Sequence, residues 1–288
     1  MGLVAIAALA ASLVIGGGEH RTSPHHQTVA STPATVPAPP LLPPLPPGDP
    51  TRLAADFDLA QRIIDDRASP TPQLASAGRF QQLAIIELAR QRPRVRRSVL
   101  ARLDAPTAAS TRSDLEAAAV LTHLVTPQRS LPPWRIVAPP APSVLLGYFR
   151  AAQARFGVPW QYLAAIEFVE TKFGRVRGPS SAGAQGPMQF LPATWARYGH
   201  GDIHNPRDSI LGAARYLVAN GAPGDMTDAL YHYNPSIDYV RAVSAYADRM
   251  RADRRAYYGY YYWQVIYAHV GGLLILPVGY PKARPERL

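Results

Sequence analysis

"AAIEFVETKFGRV", residues 164–176, sets two glutamates three positions apart in an otherwise apolar run. Which of them faces inward decides how the chain folds around this stretch. At about 100° per residue, with Ile166 at zero, Tyr162, Leu163, Val169 and Phe173 fall within about 60° of it. Glu170 falls at about 40°, inside that stripe, and Glu167 at about 100°, on its shoulder. The spacing predicts a helix between Pro159 and Gly174, with Glu170 directed at the core and Glu167 at the margin. A lone carboxyl in apolar surroundings has its charged form disfavoured and its pKa raised. That suits a general acid working near neutral pH. It suits equally a structural glutamate satisfied by an arginine or a backbone group.

The 288 residues allow one sizeable domain or two small ones, and a hydrophobic content of 47% allows a proper core. A net charge of +10 points to an anionic neighbour: nucleic acid, a membrane surface or a cell-wall polymer. Arginine carries nearly all of it, with no dense basic block interleaved with aromatics, so no nucleic-acid partner is expected. Cysteine is absent, which removes a disulfide framework, a thiol nucleophile and a lipid-modified N-terminal cysteine.

Leu3–Ile15, "LVAIAALAASLVI", is short for a membrane span and suits a secretory h-region, although a positive n-region is missing. Residues 1–18 are expected as a signal peptide or membrane anchor, and 19–50 as a proline-rich, semi-rigid spacer. Residues 51–130 show four runs of helical periodicity, the last capped by Ser113, and no catalytic constellation. They read as a helical accessory region. "SLPPWRIVAPPAPS", 130–143, is a second proline-rich connection, held to a surface by Trp134 and Ile136. Residues 131–255 form the main helical domain, punctuated by Asn205-Pro206, Asn220-Gly221, Asp225 and Ser236. Residues 256–288 are rich in aromatics and β-branched residues around a Gly-Gly, and 257–280 read as two strands and a turn. Exposed aromatics there would suit stacking on sugar rings.

Downstream, "SSAGAQGPMQFLPATWARYG", 180–199, places Gly183 and Gly186 where backbone can approach a ligand closely. Gln189 offers a donor and an acceptor to a polar substrate, or bridges backbone groups within a turn. "YHYNPSIDYV", 231–240, breaks two helices at Asn234-Pro235. Tyr233 and Asn234 sit at the corner, with Tyr239 one turn into the next helix. In "HGDIHNPRDS" the spacing matches neither a zinc helix nor a calcium loop, and no metal site is expected.

"VETKFGRV", "SSAGAQGPMQF", "DIHNPRDSILGAARYL" and "YNPSIDYV" together resemble, in order and local spelling, the lytic murein transglycosylases with a lysozyme-like fold. The spelling is nearest the B-type branch and its actinobacterial relatives, over roughly residues 134–250. The resemblance implies a mainly α fold: a lysozyme-like catalytic domain, with the N-terminal helical region and short C-terminal hairpin beside it. It implies Glu170 as the catalytic glutamate. Ser180 and Gln189 would contact the saccharide near the scissile bond, Tyr233 and Asn234 would line the cleft, and Tyr239 matches the tyrosine that follows. The implied reaction is non-hydrolytic cleavage between N-acetylmuramic acid and N-acetylglucosamine, leaving a 1,6-anhydromuramoyl end and needing no cofactor. Ordinary glycosidases need two carboxylates. Here one glutamate is aimed inward, although Glu167, Asp202 and Asp208 stay open as a second. The expected partner is peptidoglycan, with the membrane met through the N-terminal segment. A monomer is expected, secreted or anchored in the cell envelope outside the cytoplasmic membrane. The sequence departs from the B-type pattern in the short span between Gly174 and Ser180 and in Pro187-Met188. A hydrolytic muramidase and a non-catalytic glycan-binding module are the rival readings.

Overall fold

Three helices here, those starting at Pro50, Ala105 and Pro206, open with an acceptor side chain over the first turn followed by proline. That pair satisfies an orphan N–H and presets the backbone angle. The computed structural model describes Leu42 and residues 49–288. The expected signal peptide or anchor at 1–18 and nearly all of the 19–50 spacer lie outside the described residues. Among the described residues no helix is long and apolar enough to cross a membrane.

The chain opens with α1 (Pro50–Asp65), α2 (Thr71–Arg90), α3 (Pro93–Leu100) and α4 (Ala105–Thr122). Asp49 caps α1 by accepting from Thr51 N and Arg52 N. Asp104 caps α4 by accepting from Thr107 N, so that helix starts well before Ser113, which lies inside it. The alanine-rich "APTAAS" has ample helix propensity, and the earlier cap wins. Next come β1 (Arg135–Ile136), α5 (Pro142–Phe156), α6 (Trp160–Thr171) and β2 (Val176–Arg177), with β1 and β2 antiparallel. Gly157 ends α5 in the left-handed region at φ 76°. Then follow α7 (Pro192–Tyr198), α8 (Pro206–Ala219), α9 (Met226–Tyr233) and α10 (Ile237–Ala252). Asn205, Asp225 and Ser236 cap the last three of these, as their positions predict.

The C-terminal segment begins as a helix, α11 (Ala256–Tyr261), where two strands were expected. Tyr257, Tyr260 and Tyr261 are buried at helical spacing, which overrides their strand propensity. They are therefore not a platform for sugar. Close packing explains the outcome: a Cβ on Gly78 of α2 would lie 2.5 Å from Gly259 O of α11. The hairpin itself is present, with β3 (Val265–His269) and β4 (Gly272–Leu276) antiparallel and β5 (Glu286–Arg287) added at the edge.

One apolar core runs from α1 to β4, so the accessory helices and the main domain share their interior. Helix α4 packs on α10, and α2 packs on α11. Helix α6 is enclosed by α5, α8, α10 and α11. Every residue from Leu163 to Thr171 is buried, so α6 has no wet face. Trp134 and Ile136 join Val176, Val265, Leu276 and Tyr280 in a smaller satellite cluster, which holds the proline-rich connection down.

Candidate active site

The enclosure of α6 decides the electrostatics of both its glutamates. Glu170 is 1% exposed. Burial raises its pKa to about 8, opposed by a hydrogen bond from Tyr239 and by the charge of Lys172. Tyr239 Oη donates to Glu170 Oε1 at 2.8 Å, and Oε2 has no protein partner among the described residues. Glu170 is thus protonated at neutral pH, with one oxygen fixed and the other unclaimed.

Glu167 corrects the angular expectation. The helical angle places it on a partly wet shoulder, yet it is fully buried and neither carboxyl oxygen has a hydrogen-bond partner among the described residues. Burial raises its pKa to about 8, with Arg177 opposing weakly. An angular plot compares one helix's faces with each other; it does not see the four helices around α6. Glu167 Oε1 lies 3.5 Å from where a Cβ on Gly174 would stand, and Pro187 closes the same space.

Helix α6 ends in a tight turn with Lys172, Phe173 and Gly174 all at positive φ. Thr171 pins this turn: its Oγ1 accepts from Gly174 N at 2.9 Å and donates to Pro187 O at 2.6 Å. Lys172 is buried, donates from Nζ to Phe168 O at 3.0 Å and sits 4.3 Å from the Phe168 ring centroid. Burial lowers its pKa to about 7, with Glu170 opposing. Sequence reasoning passed over this residue. The available signal was compositional: it is one of only two lysines in a chain whose other cations are arginines. An ammonium can lose its proton when buried, and a guanidinium cannot.

The glycine-rich loop after β2 folds on its own side chains. Ser180 Oγ accepts from Ala182 N and Ala184 N at 3.2 and 3.1 Å. Gln189, at φ 49°, donates from Nε2 to Gly186 O at 2.9 Å. The turn-bridging role is thus realised for Gln189, although it also lines a cleft. Gly186 is at φ 74°, and a Cβ there would fall 2.0 Å from Ile203 O, so only glycine fits.

That cleft, about 270 Å³, is lined by Gln189, Phe190, Thr194, Tyr216, Tyr233 and Asn234 among others. Tyr233 Oη donates to Met188 O at 2.6 Å. Asn234 is largely buried at the end of α9. Tyr239 is fully buried, so what it touches is Glu170 and the ring of Tyr233, parallel to its own at 6.5 Å. The structure therefore brings Gln189, Tyr233 and Asn234 to the cleft wall and sets Glu170 behind them through Tyr239. Ser180 lies on the other side of its loop. His232 is exposed beside Asp228, 3.6 Å away. In "HGDIHNPRDS", Asp202 accepts from His204 N and Asp208 from Asp202 N, which spends both carboxylates on an exposed turn.

Residues 147–256 match the family described as Transglycosylase SLT domain. The membrane-bound lytic murein transglycosylase F of Thiobacillus denitrificans is 41% identical over 71 residues, which cover 25% of this chain and 15% of that relative. No solved structure matches the chain. The helical architecture with its small C-terminal antiparallel sheet agrees with the lysozyme-like fold of the matched family. The match to the Transglycosylase SLT domain thus covers residues 147–256, the segment that holds Glu170 and the cleft wall.

Proposed function

We propose that this chain is a peptidoglycan lytic transglycosylase, with Glu170 as acid and then base. The observation that carries the reading is a buried, protonated carboxyl held by Tyr239 inside the matched segment. Glu170 gives its proton to the glycosidic oxygen as the bond to C1 of the muramoyl residue breaks. The acetamido oxygen of that residue supports C1. Its 6-hydroxyl then attacks C1 and returns a proton to Glu170, so no water is consumed and a 1,6-anhydro end forms. A two-carboxylate hydrolase needs a second acid facing the substrate. Glu167 is sealed behind Gly174 and Pro187, and Asp202 and Asp208 are spent on their turn, which favours the single-carboxyl route. Gln189, Tyr233 and Asn234 are assigned to the saccharide-binding wall, Ser180 to holding the neighbouring loop through Ala182 N and Ala184 N, and Tyr239 to positioning Glu170.

The domain limits follow: 1–18 as signal peptide or anchor, 19–50 as spacer, 51–130 as accessory helices, 131–255 as the catalytic domain, and 256–288 as the C-terminal tail. Action is placed in the cell envelope outside the cytoplasmic membrane, as a monomer on glycan strands. Mass analysis of products from purified peptidoglycan tests the reading. Anhydromuramoyl ends are expected; reducing muramic ends would assign a muramidase, and no release would leave only a binding module.

Tyr239→Phe keeps the buried ring and removes the hydroxyl. Without that donor the Glu170 carboxylate is less favoured, so the alkaline limb of the pH–rate profile should move upward from about 8. The carboxylate must also be oriented for the second proton transfer, and kcat is expected to fall about tenfold. An unmoved limb would remove Tyr239 from the mechanism.

A further inference from the structure

A hollow of about 810 Å³ runs along α2 and shares no residue with the cleft. Pro72, Ala75, Arg79 and Leu83 line one side of it. They recur every three or four residues, so they form one stripe of the helix, about 16 Å long at about 1.5 Å per residue. Pro72 and Arg79 are exposed and Ala75 is half-buried, so much of this stripe has no cover from the described residues. Arg175, Tyr262 and Gln264 supply the other wall. Leu42 also lines the hollow. It is 8% exposed and belongs to the main apolar core, although 41 and 43–48 lie outside the described residues. One leucine of the proline-rich stretch thus already has its seat here.

The chemistry of the hollow suits the residues on either side of Leu42. "PPLLPPLPPG", 39–48, favours polyproline II, with three residues per turn. That period puts Leu42 and Leu45 on one face, about 9 Å apart, with Pro39 one turn before them. At about 3.1 Å per residue, about five residues cover the 16 Å stripe. Six of these ten residues are prolines without an N–H, so the backbone offers mainly free carbonyls. Arg175 Nε is buried with no hydrogen-bond partner among the described residues, and it is a donor. Its guanidinium is held in place by Nη2, which donates to Tyr261 O at 2.7 Å. Gln264 Oε1 is a second buried polar atom with no partner among the described residues, an acceptor that a leucine N–H satisfies. Tyr262, half-buried, gives the aromatic wall on which proline-rich segments dock.

We infer that this hollow is the docking site of the chain's own segment 39–47, held there by the leucine face of Leu42 and Leu45. The segment is covalently tied to α1 through Asp49, so its effective concentration at the hollow is roughly millimolar and a free partner must compete with it. The stretch 19–50, proposed above as a spacer, is then free only over 19–38. At about 3.1 Å per residue its greatest reach falls from about 100 Å to about 60 Å. Docking therefore sets how far the folded part stands from the N-terminal segment.

The test uses the full chain carrying Ser76→Cys, whose thiol is unique because the sequence has no cysteine. Ser76 lines the hollow and is half-buried. The rate at which a maleimide labels that thiol is read with and without a second substitution. Leu42→Glu and Leu45→Glu, on one polyproline face, are each expected to speed labelling about tenfold. Leu41→Glu, a third of a turn away, is expected to stay within about twofold of the parent. Leu42→Ala brings no charge and is expected to speed labelling about threefold, so the result does not depend on one variant folding. Equal rates throughout overturn the inference. So does an effect from Leu42 with none from Leu45→Glu, or one from Leu41→Glu as large as from Leu42→Glu. Added decaproline at a roughly millimolar concentration is expected to leave the parent's rate unchanged. Protection by that peptide would make the hollow a partner's site and overturn its assignment to the chain's own segment.

Discussion

Glu170→Gln is expected to lower peptidoglycan cleavage by about 10²- to 10⁴-fold, the usual worth of a positioned acid–base group. The amide has the shape of the acid but carries no proton of useful acidity. Three features make this the largest effect on activity. Glu170 holds a proton at neutral pH because its surroundings are dry. One of its oxygens is fixed by Tyr239 and the other has no protein partner among the described residues. Among the described residues no other carboxyl is placed to take over, since Glu167 is sealed off and the cleft wall itself carries none. Binding should survive, because Gln189, Tyr233 and Asn234 are untouched. The check is turnover and pull-down on the same purified peptidoglycan. Wild-type turnover should fall as pH rises through about 8, where the acid loses its proton. Cleavage by the variant at the wild-type rate would remove Glu170 from the reaction. Lost binding with lost cleavage would point instead to a damaged fold.

The helix order, most caps and the site loop were legible because their signals are local. Asn205, Asp225 and Ser236 cap where their spacing says, and Gly183 and Gly186 mark the turn that only glycine allows. The inward placement of Glu170 was legible by its helical angle. What failed depends on packing between distant segments. The tyrosine run looks like strand until Gly78 and Gly259 bring α2 and α11 into contact, which the chain cannot reveal locally. Glu167 looks half-wet until α5, α8, α10 and α11 close around α6. Lys172 lies inside the quoted stretch, but it is neither apolar nor acidic and so falls outside the pattern read there. Its burial comes from the turn that Thr171 pins to Pro187, a contact sixteen positions away.

Glu167→Gln should make the protein markedly more stable at pH 8 and leave it nearly unchanged at pH 5. The sign follows from protons bound. Unfolded, Glu167 titrates near its ordinary 4.5; folded, near 8. Below about pH 4.5 both states are protonated and the folded state carries no penalty. Between those values the unfolded chain gives up a proton that the folded one keeps, so stability falls as pH rises. The gap of about 3.5 units corresponds to about 5 kcal/mol at 1.36 kcal/mol per unit, as an order of magnitude. Glu170 and Asp114 act in the same direction, with Asp114 raised to about 6 by burial beneath Tyr260. Lys172 acts in the opposite direction, but only above about 7, so pH 5 to 7 is the cleanest window. Glutamine cannot ionise, and at pH 5 it exchanges one unpartnered neutral group for another. At pH 8 it removes the whole Glu167 share, a gain of roughly 10 °C in Tm at about 2–4 °C per kcal/mol for a chain of this size. Melting curves of both proteins from pH 5 to 8 decide it. Parallel profiles would mean that Glu167 is solvated or paired in solution; a variant that converges with wild type at pH 5 and separates above would mean that α6 keeps a second, silent proton beside the working one.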